Sequence, residues 1–458
     1  MGRLSPAAAH GSRSLWITES STARWQPNSS PRWSQSSRRS VPDEAQLIYD
    51  WNTVDAPSKP AHPVSIHDET LRDGIQGPSV RDPDIEHKLR FLHLADELGV
   101  GSIDLGLPGS GPRAVADVER LAQEIRDQHL RIKPLCAART LEVDIRPVVE
   151  ISQRVGIPIE VAAFIGSSPI RQYAEGWTID QMVDNTRKAV RFARQHELPV
   201  LYVTEDTTRA RPETLRRLFG TAIEEGAARV AVCDTVGHST PDGVRAVVRY
   251  VRAMLDEMKP DVGLDWHGHS DRGLGIINAI EAAVAGADRI HGCALGLGER
   301  VGNTHLDLLL VNFRLLGWID TDLSKLREMG DVIAEGTGMA IPANYPVLGR
   351  DAFRTATGVH AAAVIKAKRK GDEWLANRVY SGVPAELFGC VQVIEIGPMS
   401  GESNVVFWLQ QREIDPRPEL VKTVLDAAKQ HNGLLSEADV LRIVGGAPPK
   451  TTRLSGQT

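Results

Sequence analysis

The chain has 458 residues, with 53 Lys and Arg against 59 Asp and Glu, a formal net charge of −6 and 41% hydrophobic residues. That length and balance fit a globular protein with one large domain and smaller additions, and they exclude the broadly basic surface that nucleic acid or an anionic membrane requires. Cys136, Cys233, Cys293 and Cys390 form no C-x-x-C pair, which points to a reducing, cytoplasmic setting without disulfides, and apolar runs are broken by charge before they could span a bilayer.

Residues 1–50 open with stretches such as S-S-P-R-W-S-Q-S-S-R-R-S that have neither helical nor strand period, and they read as a disordered extension. From Val64 the texture changes. Short apolar, β-branched runs begin at 64, 102, 132, 159, 200, 229, 262 and 289, from V-S-I to R-I-H-G. Between them lie segments such as D-I-E-H-K-L-R-F-L-H-L-A-D-E-L-G, where apolar residues return every three or four positions and Gly99 stands as a C-cap. Eight strand-then-helix units over residues 60–320 predict an α/β protein of the (β/α)₈ TIM-barrel class. A doubly wound open sheet would gather its polar residues at one switch point, whereas here they follow nearly every strand. Residues 321–447 predict a mainly helical C-terminal appendage, expected to act as a lid or dimerisation region, and 448–458 a disordered polar tail.

In such a barrel the chemistry sits at the C-terminal ends of the strands. His267 and His269 are two apart, so both imidazoles face one side. With Asp73 at the mouth of the first strand and Asn303 as a carbonyl donor, they predict a mixed N and O site for a divalent cation such as Mn²⁺, Zn²⁺ or Mg²⁺. A lone H-x-H can equally be a pair of hydrogen-bonded histidines. Arg72, beside Asp73, is an ordinary surface ion pair in most settings, but at a metal-bearing mouth it can hold a carboxylate or an oxyanion. Gln76, Arg139, Glu205 and Thr235 follow other strands, and each has an alternative as a loop cap. G-L-G-E-R-V-G-N at 296–303 is neither a Walker loop nor a dinucleotide fingerprint.

Three motifs in order, D-E-T-L-R-D-G-I-Q at 68–76, H-G-H-S-D-R-G-L-G at 267–275 and A-G-A-D-R-I-H-G-C-A-L-G-L-G-E-R-V-G-N at 285–303, resemble the 2-isopropylmalate synthase and homocitrate synthase group of metal-dependent barrels. The wider superfamily includes 3-hydroxy-3-methylglutaryl-CoA lyases and aldolases. The resemblance implies that Asp73, His267 and His269, with Asn303, bind the cation, that Arg72 polarises a keto oxygen, and that Thr235 holds a 2-oxo acid carboxylate beside Glu205. A-T-G-V-H-A makes His360 the counterpart of a catalytic histidine donated by the neighbouring subunit of a homodimer, and Tyr380 that of the following tyrosine. Small-molecule substrates are implied, with acetyl-CoA or another acyl-CoA as co-substrate of a Claisen-type condensation; cleavage as an acyl-CoA lyase or aldolase is the alternative. Lyases carry a cysteine where this chain has Ala294, with Cys293 one position off. Ser270, Ala162 and Asp104 depart from the group's usual Asn, His and Glu, which leaves the oxo acid open. Some extra residues between His360 and Tyr380 weaken that last match.

Overall fold

The computed structural model describes residues 44–54 and 59–446. Most of the expected extension and all of the expected tail lie outside the described residues. The described end of that extension is not without structure: Glu44–Leu47 forms one helical turn, and Trp51–Thr53 a second, tighter one capped by Asp50. Those residues belong to a separate compact unit that ends at Pro57.

From Ser58 onward the expected barrel is present, with eight parallel strands closing in sequence order. They are β1 Ser65–Asp68, β2 Ser102–Asp104, β3 Lys133–Arg139, β4 Glu160–Gly166, β5 Val200–Glu205, β6 Arg229–Asp234, β7 Gly263–Gly268 and β8 Arg289–Gly292. The connecting helices are α1 Ile85–Glu97, α2 Pro112–Asp127, α3 Glu142–Val155, α4 Ile179–Gln195, α5 Pro212–Glu224, α6 Pro241–Met258, α7 Gly275–Ala285 and α8 Leu306–Leu315, with a short extra helix, Pro169–Glu175, before α4. Helix starts are marked by local chemistry: the Asp84 carboxylate accepts from His87 N–H, and Thr178 and Gln181 form a reciprocal capping box. Gly99, with φ +78°, ends the first helix in the left-handed region, as its position implied.

Strand alternation divides the residues cleanly. Ile66, Ile103, Val161, Val200, Val230, Leu264, Trp266 and Ile290 face outward into the main core beneath the helices. Above the floor, inward positions on β3–β6 are apolar and form a distinct cluster of Leu135, Ala162, Leu201, Ala231 and Cys233. Those on β7, β8, β1 and β2 are polar and buried: Asp265, His267, Arg289, His291, His67, Ser102 and Asp104.

The C-terminal region is mainly helical, as expected, and adds a small parallel pair of strands. Helix α9, Leu326–Thr337, packs on α1 and belongs to the barrel's own core. Beyond it come β9 Arg354–Thr355, α10 Gly358–Arg369, α11 Glu373–Arg378, β10 Val393–Ile394, α12 Glu402–Gln410, α13 Pro418–Gln430 and α14 Glu437–Val444. These close two apolar clusters of their own. No helix among the described residues is long and apolar enough to cross a membrane, and all four cysteines are free.

The barrel floor depends on Arg289, whose guanidinium donates to Asp265 at 2.6 Å, Glu160 at 2.9 Å and Ser102 at 3.2 Å. Arg289→Ala leaves two carboxylates facing a buried void. The expected loss is about 3 kcal/mol of stability, read as a lower urea midpoint.

Candidate metal centre and substrate cavity

The C-terminal rim opens into a cavity of about 250 Å³. Arg72, Asp73, Gln76, Glu205, Thr235, His267 and His269, all singled out from the sequence, line it.

His267 is the penultimate residue of β7 and His269 lies one step beyond the strand, in an isolated bridge with Asn303. Their Nε2 atoms are 3.4 Å apart, and the Asp73 Oδ2 is 3.2 Å from His267 Nε2 and 3.6 Å from His269 Nε2. One cation could be shared by all three groups. Asn303 adds a sign of its own: its Nδ2 donates to Leu297 O at 3.0 Å, while its Oδ1 is buried with no hydrogen-bond partner. A buried carbonyl oxygen without a donor fits a metal ligand better than it fits a protein interior. The electrostatics suit the same role. Burial pushes the Asp73 carboxyl up, but Arg72 and the hydrogen bond to His267 outweigh it and hold it well below the ordinary carboxylate range. Burial, reinforced by His267, lowers His269 to about 4, so its imidazole is neutral and available. Burial also opposes charge on His267, yet Asp73 and Glu69 prevail and raise it to about 9. A cation would replace that proton.

Residues that sequence reading did not single out support this centre. Glu69 accepts from His291 Nδ1 at 2.9 Å and lies 3.6 Å from His267 Nδ1, which fixes the ring that presents Nε2 to the rim. His291 Nε2 in turn lies 2.9 Å from Asp265. A second trio of possible ligands, His67, Glu69 and His291, is also close-set. Arg72 already pairs with Glu69, and Arg289 reaches Ser102 beside His67, so this trio is a hydrogen-bonded support among cations rather than a second centre.

Arg72 is the hub of the rim. Its guanidinium donates to Glu69 and, at 3.0 Å, to Asp104, and lies 3.6 Å from Asp73. Thr235 follows β6; its Oγ1 accepts from Asp206 N–H at 2.8 Å, leaving its own O–H free to donate. Asp234 pins that turn by accepting from Thr208, His238 and Ser239. Burial raises the Glu205 carboxyl, with Arg171 only partly offsetting it. The Gly-rich segment is a close-packing device: Gly302 has φ +87°, and a Cβ there would fall 1.8 Å from Gly296 O. It carries Arg300, which pairs with Asp271 and donates to Thr235 O at 2.7 Å.

Four expected site residues do not line the cavity: Asn303, which is bridged to His269, and three that lie away from the centre. Arg139, at the end of β3, sends its Nε and a terminal nitrogen to Asp144 at 2.6 and 2.9 Å and is 61% exposed. His360 on α10 and Tyr380 lie outside the cavity lining, exposed and stacked on each other with ring centroids 4.1 Å apart.

Fold and site together define a (β/α)₈ barrel with a candidate cation centre at its C-terminal rim. The HMGL-like family model matches residues 63–333, more than half of the chain, and the chain belongs to that family. It is similar to the homocitrate synthase AksA of Methanopyrus kandleri, 32% identical over 370 residues covering 80% of this chain and 87% of the relative. The putative (R)-citramalate synthase CimA of the same organism is 31% identical, covering 85% of this chain and 74% of the relative. The 2-isopropylmalate synthase of Sulfurisphaera tokodaii is 29% identical, covering 83% and 94%. Among solved structures, an HMG-CoA lyase from Acenitobacter baumannii superposes with a TM-score of 0.52 at 20% identity, covering 62% of this chain and 93% of that one, a likeness of fold alone.

Titration calorimetry with Mn²⁺ or Zn²⁺ checks the centre. His269→Ala is expected to weaken binding by more than the roughly 10–100-fold loss expected of Glu69→Gln, since the first removes a ligand and the second only the group that orients one.

Proposed function

We propose that the protein joins the methyl carbon of acetyl-CoA to the keto carbon of a 2-oxo acid and then hydrolyses the thioester. The observation that carries this reading is the convergence of Arg72, the Asp73–His267–His269 group, Thr235 and Glu205 on one small cavity. At about 250 Å³ it lies below the ~300–1,000 Å³ of most small-molecule sites. It accommodates two reacting ends, with the bulk of CoA outside. The relatives named for homocitrate, citramalate and isopropylmalate synthesis support the same chemistry.

The residues divide the work by position. Thr235 O–H and the backbone around it hold the oxo acid's carboxylate, which aims its ketone at Arg72. As the carbon–carbon bond forms, the ketone oxygen gains negative charge, and the guanidinium is already in place to receive it. A divalent cation held by Asp73, His267, His269 and Asn303 would supply Lewis acidity at the same oxygen. Glu205, raised by burial toward neutrality, is suited to accept or return a proton within the cavity. Water then adds to the thioester carbonyl, the carbon–sulfur bond breaks, and CoA leaves as the thiol.

His360 and Tyr380 enter this scheme through a second copy of the chain. In one chain they sit outside the cavity, so a homodimer in which this pair meets the partner's rim is the arrangement in which His360 acts on the acetyl methyl group or on water. Cleavage by a lyase is disfavoured by Cys293, which is fully buried and absent from the cavity lining. A thiol there cannot serve as a mobile acid.

Purified protein given acetyl-CoA, a 2-oxo acid and a divalent cation is expected to release free thiol, and chelation is expected to stop it. Formation of acetyl-CoA from a 3-hydroxyacyl-CoA, without oxo acid and without release of thiol, would instead establish cleavage. Arg72→Lys is expected to lower kcat by about 10²–10³-fold, the typical effect of losing an oxyanion donor. His360→Ala and Arg72→Ala, each inactive alone, are expected to regain activity when mixed and reassociated. No recovery in verified mixed dimers would exclude the shared site.

A further inference from the structure

The cavity is chemically two-sided. The cation centre and Arg72 occupy the β7–β8–β1 side, while the facing wall is apolar: Ala137, Ala162 and Leu201, then Phe164 and Val203 one row up, with Leu107 beside them. Ala137 pairs with Ala162, and Ala162 with Leu201, across β3, β4 and β5, so these three make one continuous row. None of the three is more than 6% exposed. The ionisable group that follows this wall along β5 is Glu205, a carboxyl group rather than a cation. Arg300, the other lining guanidinium, is held by Asp271 and Thr235 O on the far side. Arg139 is the cation closest in register, opposite Phe164, but it is turned out to Asp144. Arg171 lies 3.2 Å from Glu175 and 3.8 Å from Glu205, and does not line the cavity.

With the ketone on Arg72 and the first carboxylate on Thr235, the remaining substituent of the oxo acid is directed at this facing wall. A second carboxylate there would give up its hydration for alanine and leucine side chains, without a cationic partner. An alkyl group would gain apolar contact at no such cost. We infer that the substrate is a 2-oxo acid with a short alkyl chain seated on the Ala137–Ala162–Leu201 row, and that 2-oxo dicarboxylic acids are rejected. This inference rests on the condensation reading and deepens it, since relatives named for three different products do not choose among acids.

The test measures CoA thiol release by the full-length enzyme with acetyl-CoA and divalent metal, comparing kcat/KM for pyruvate, 2-oxobutanoate, 3-methyl-2-oxobutanoate and 2-oxoglutarate. At least one alkyl acid is expected to exceed 2-oxoglutarate by about 100-fold or more. Equal or better turnover of 2-oxoglutarate overturns the inference while leaving the condensation intact, and its loss in Arg139→Ala would show that Arg139 swings in to hold the distal carboxylate. No thiol release with any acid overturns the condensation reading and this inference with it. Ala162→Val, or Ala137→Val should the first not fold, narrows the row. It is expected to lower kcat/KM for 3-methyl-2-oxobutanoate about 10-fold more than for pyruvate, mainly through KM. An equal loss for both acids would remove the alkyl group from this wall.

Discussion

The inside of a closed barrel has no solvent to receive a misplaced side chain, so every inward position must find its partner there. On β7, β8, β1 and β2 the inward positions are polar, and they satisfy one another in sequence. Arg289 answers Asp265 and Glu160, Asp265 holds His291, His291 holds Glu69, and Glu69 faces both Arg72 and His267. Each partner is several kcal/mol more costly alone than paired. The chain of contacts therefore transmits order from the barrel floor to the rim.

Arg72 shows how that order becomes chemistry. Three carboxyl groups surround one guanidinium, which is more negative charge than it can balance if all are ionised. Burial lifts Asp104 to about 8, only partly opposed by Arg72, whereas Arg72 and three imidazoles overcome burial at Glu69 and hold it ionised. The neutral acid is thus the one on β2, away from the imidazole pair, and the ionised ones flank it. Asp73 is left as an anion beside His267 and His269, which is the charge state a divalent cation requires. Identical functional groups take different protonation states because their neighbours differ.

The sequence made the barrel legible because two independent periodicities alternate, and the cation group legible because H-x-H and R-D are compact motifs. Thr235 and Glu205 were accessible for a related reason: each immediately follows or ends an apolar run at the end of the barrel where chemistry collects. The support layer was not legible. Glu69 and His291 are 222 positions apart and meet only because β1 and β8 close the sheet. Arg139 shows the converse failure. Its place at the end of β3 faces the interior by alternation, but Asp144, five residues on in the first turn of α3, offers two oxygens at closer range. Local geometry claimed the side chain that the strand pattern had assigned to the cavity. The alkyl wall was visible only as an exception, Ala162 in place of a histidine, because a missing polar group has no signature until its neighbours are known to be apolar too.

The C-terminal region extends the argument beyond one chain. Helix α9 shares the barrel's core, whereas the residues that follow Phe388, and the α10 and α11 pair before it, close their own apolar clusters. A segment that does not need the barrel for its core is free to be shaped by another role. His360 and Tyr380 are stacked yet exposed, an arrangement that spends an aromatic contact on orienting two polar groups toward solvent. In the proposed dimer, that solvent-facing pair becomes the roof of the partner's cavity, and the apolar wall below it then closes around the alkyl end of the acid. In that arrangement the rim of one chain would supply charge and shape, and the second copy would supply the remaining proton-transfer group and the exclusion of water. Condensation before hydrolysis requires both, because a thioester enolate exposed to bulk water would be reprotonated before it met the ketone.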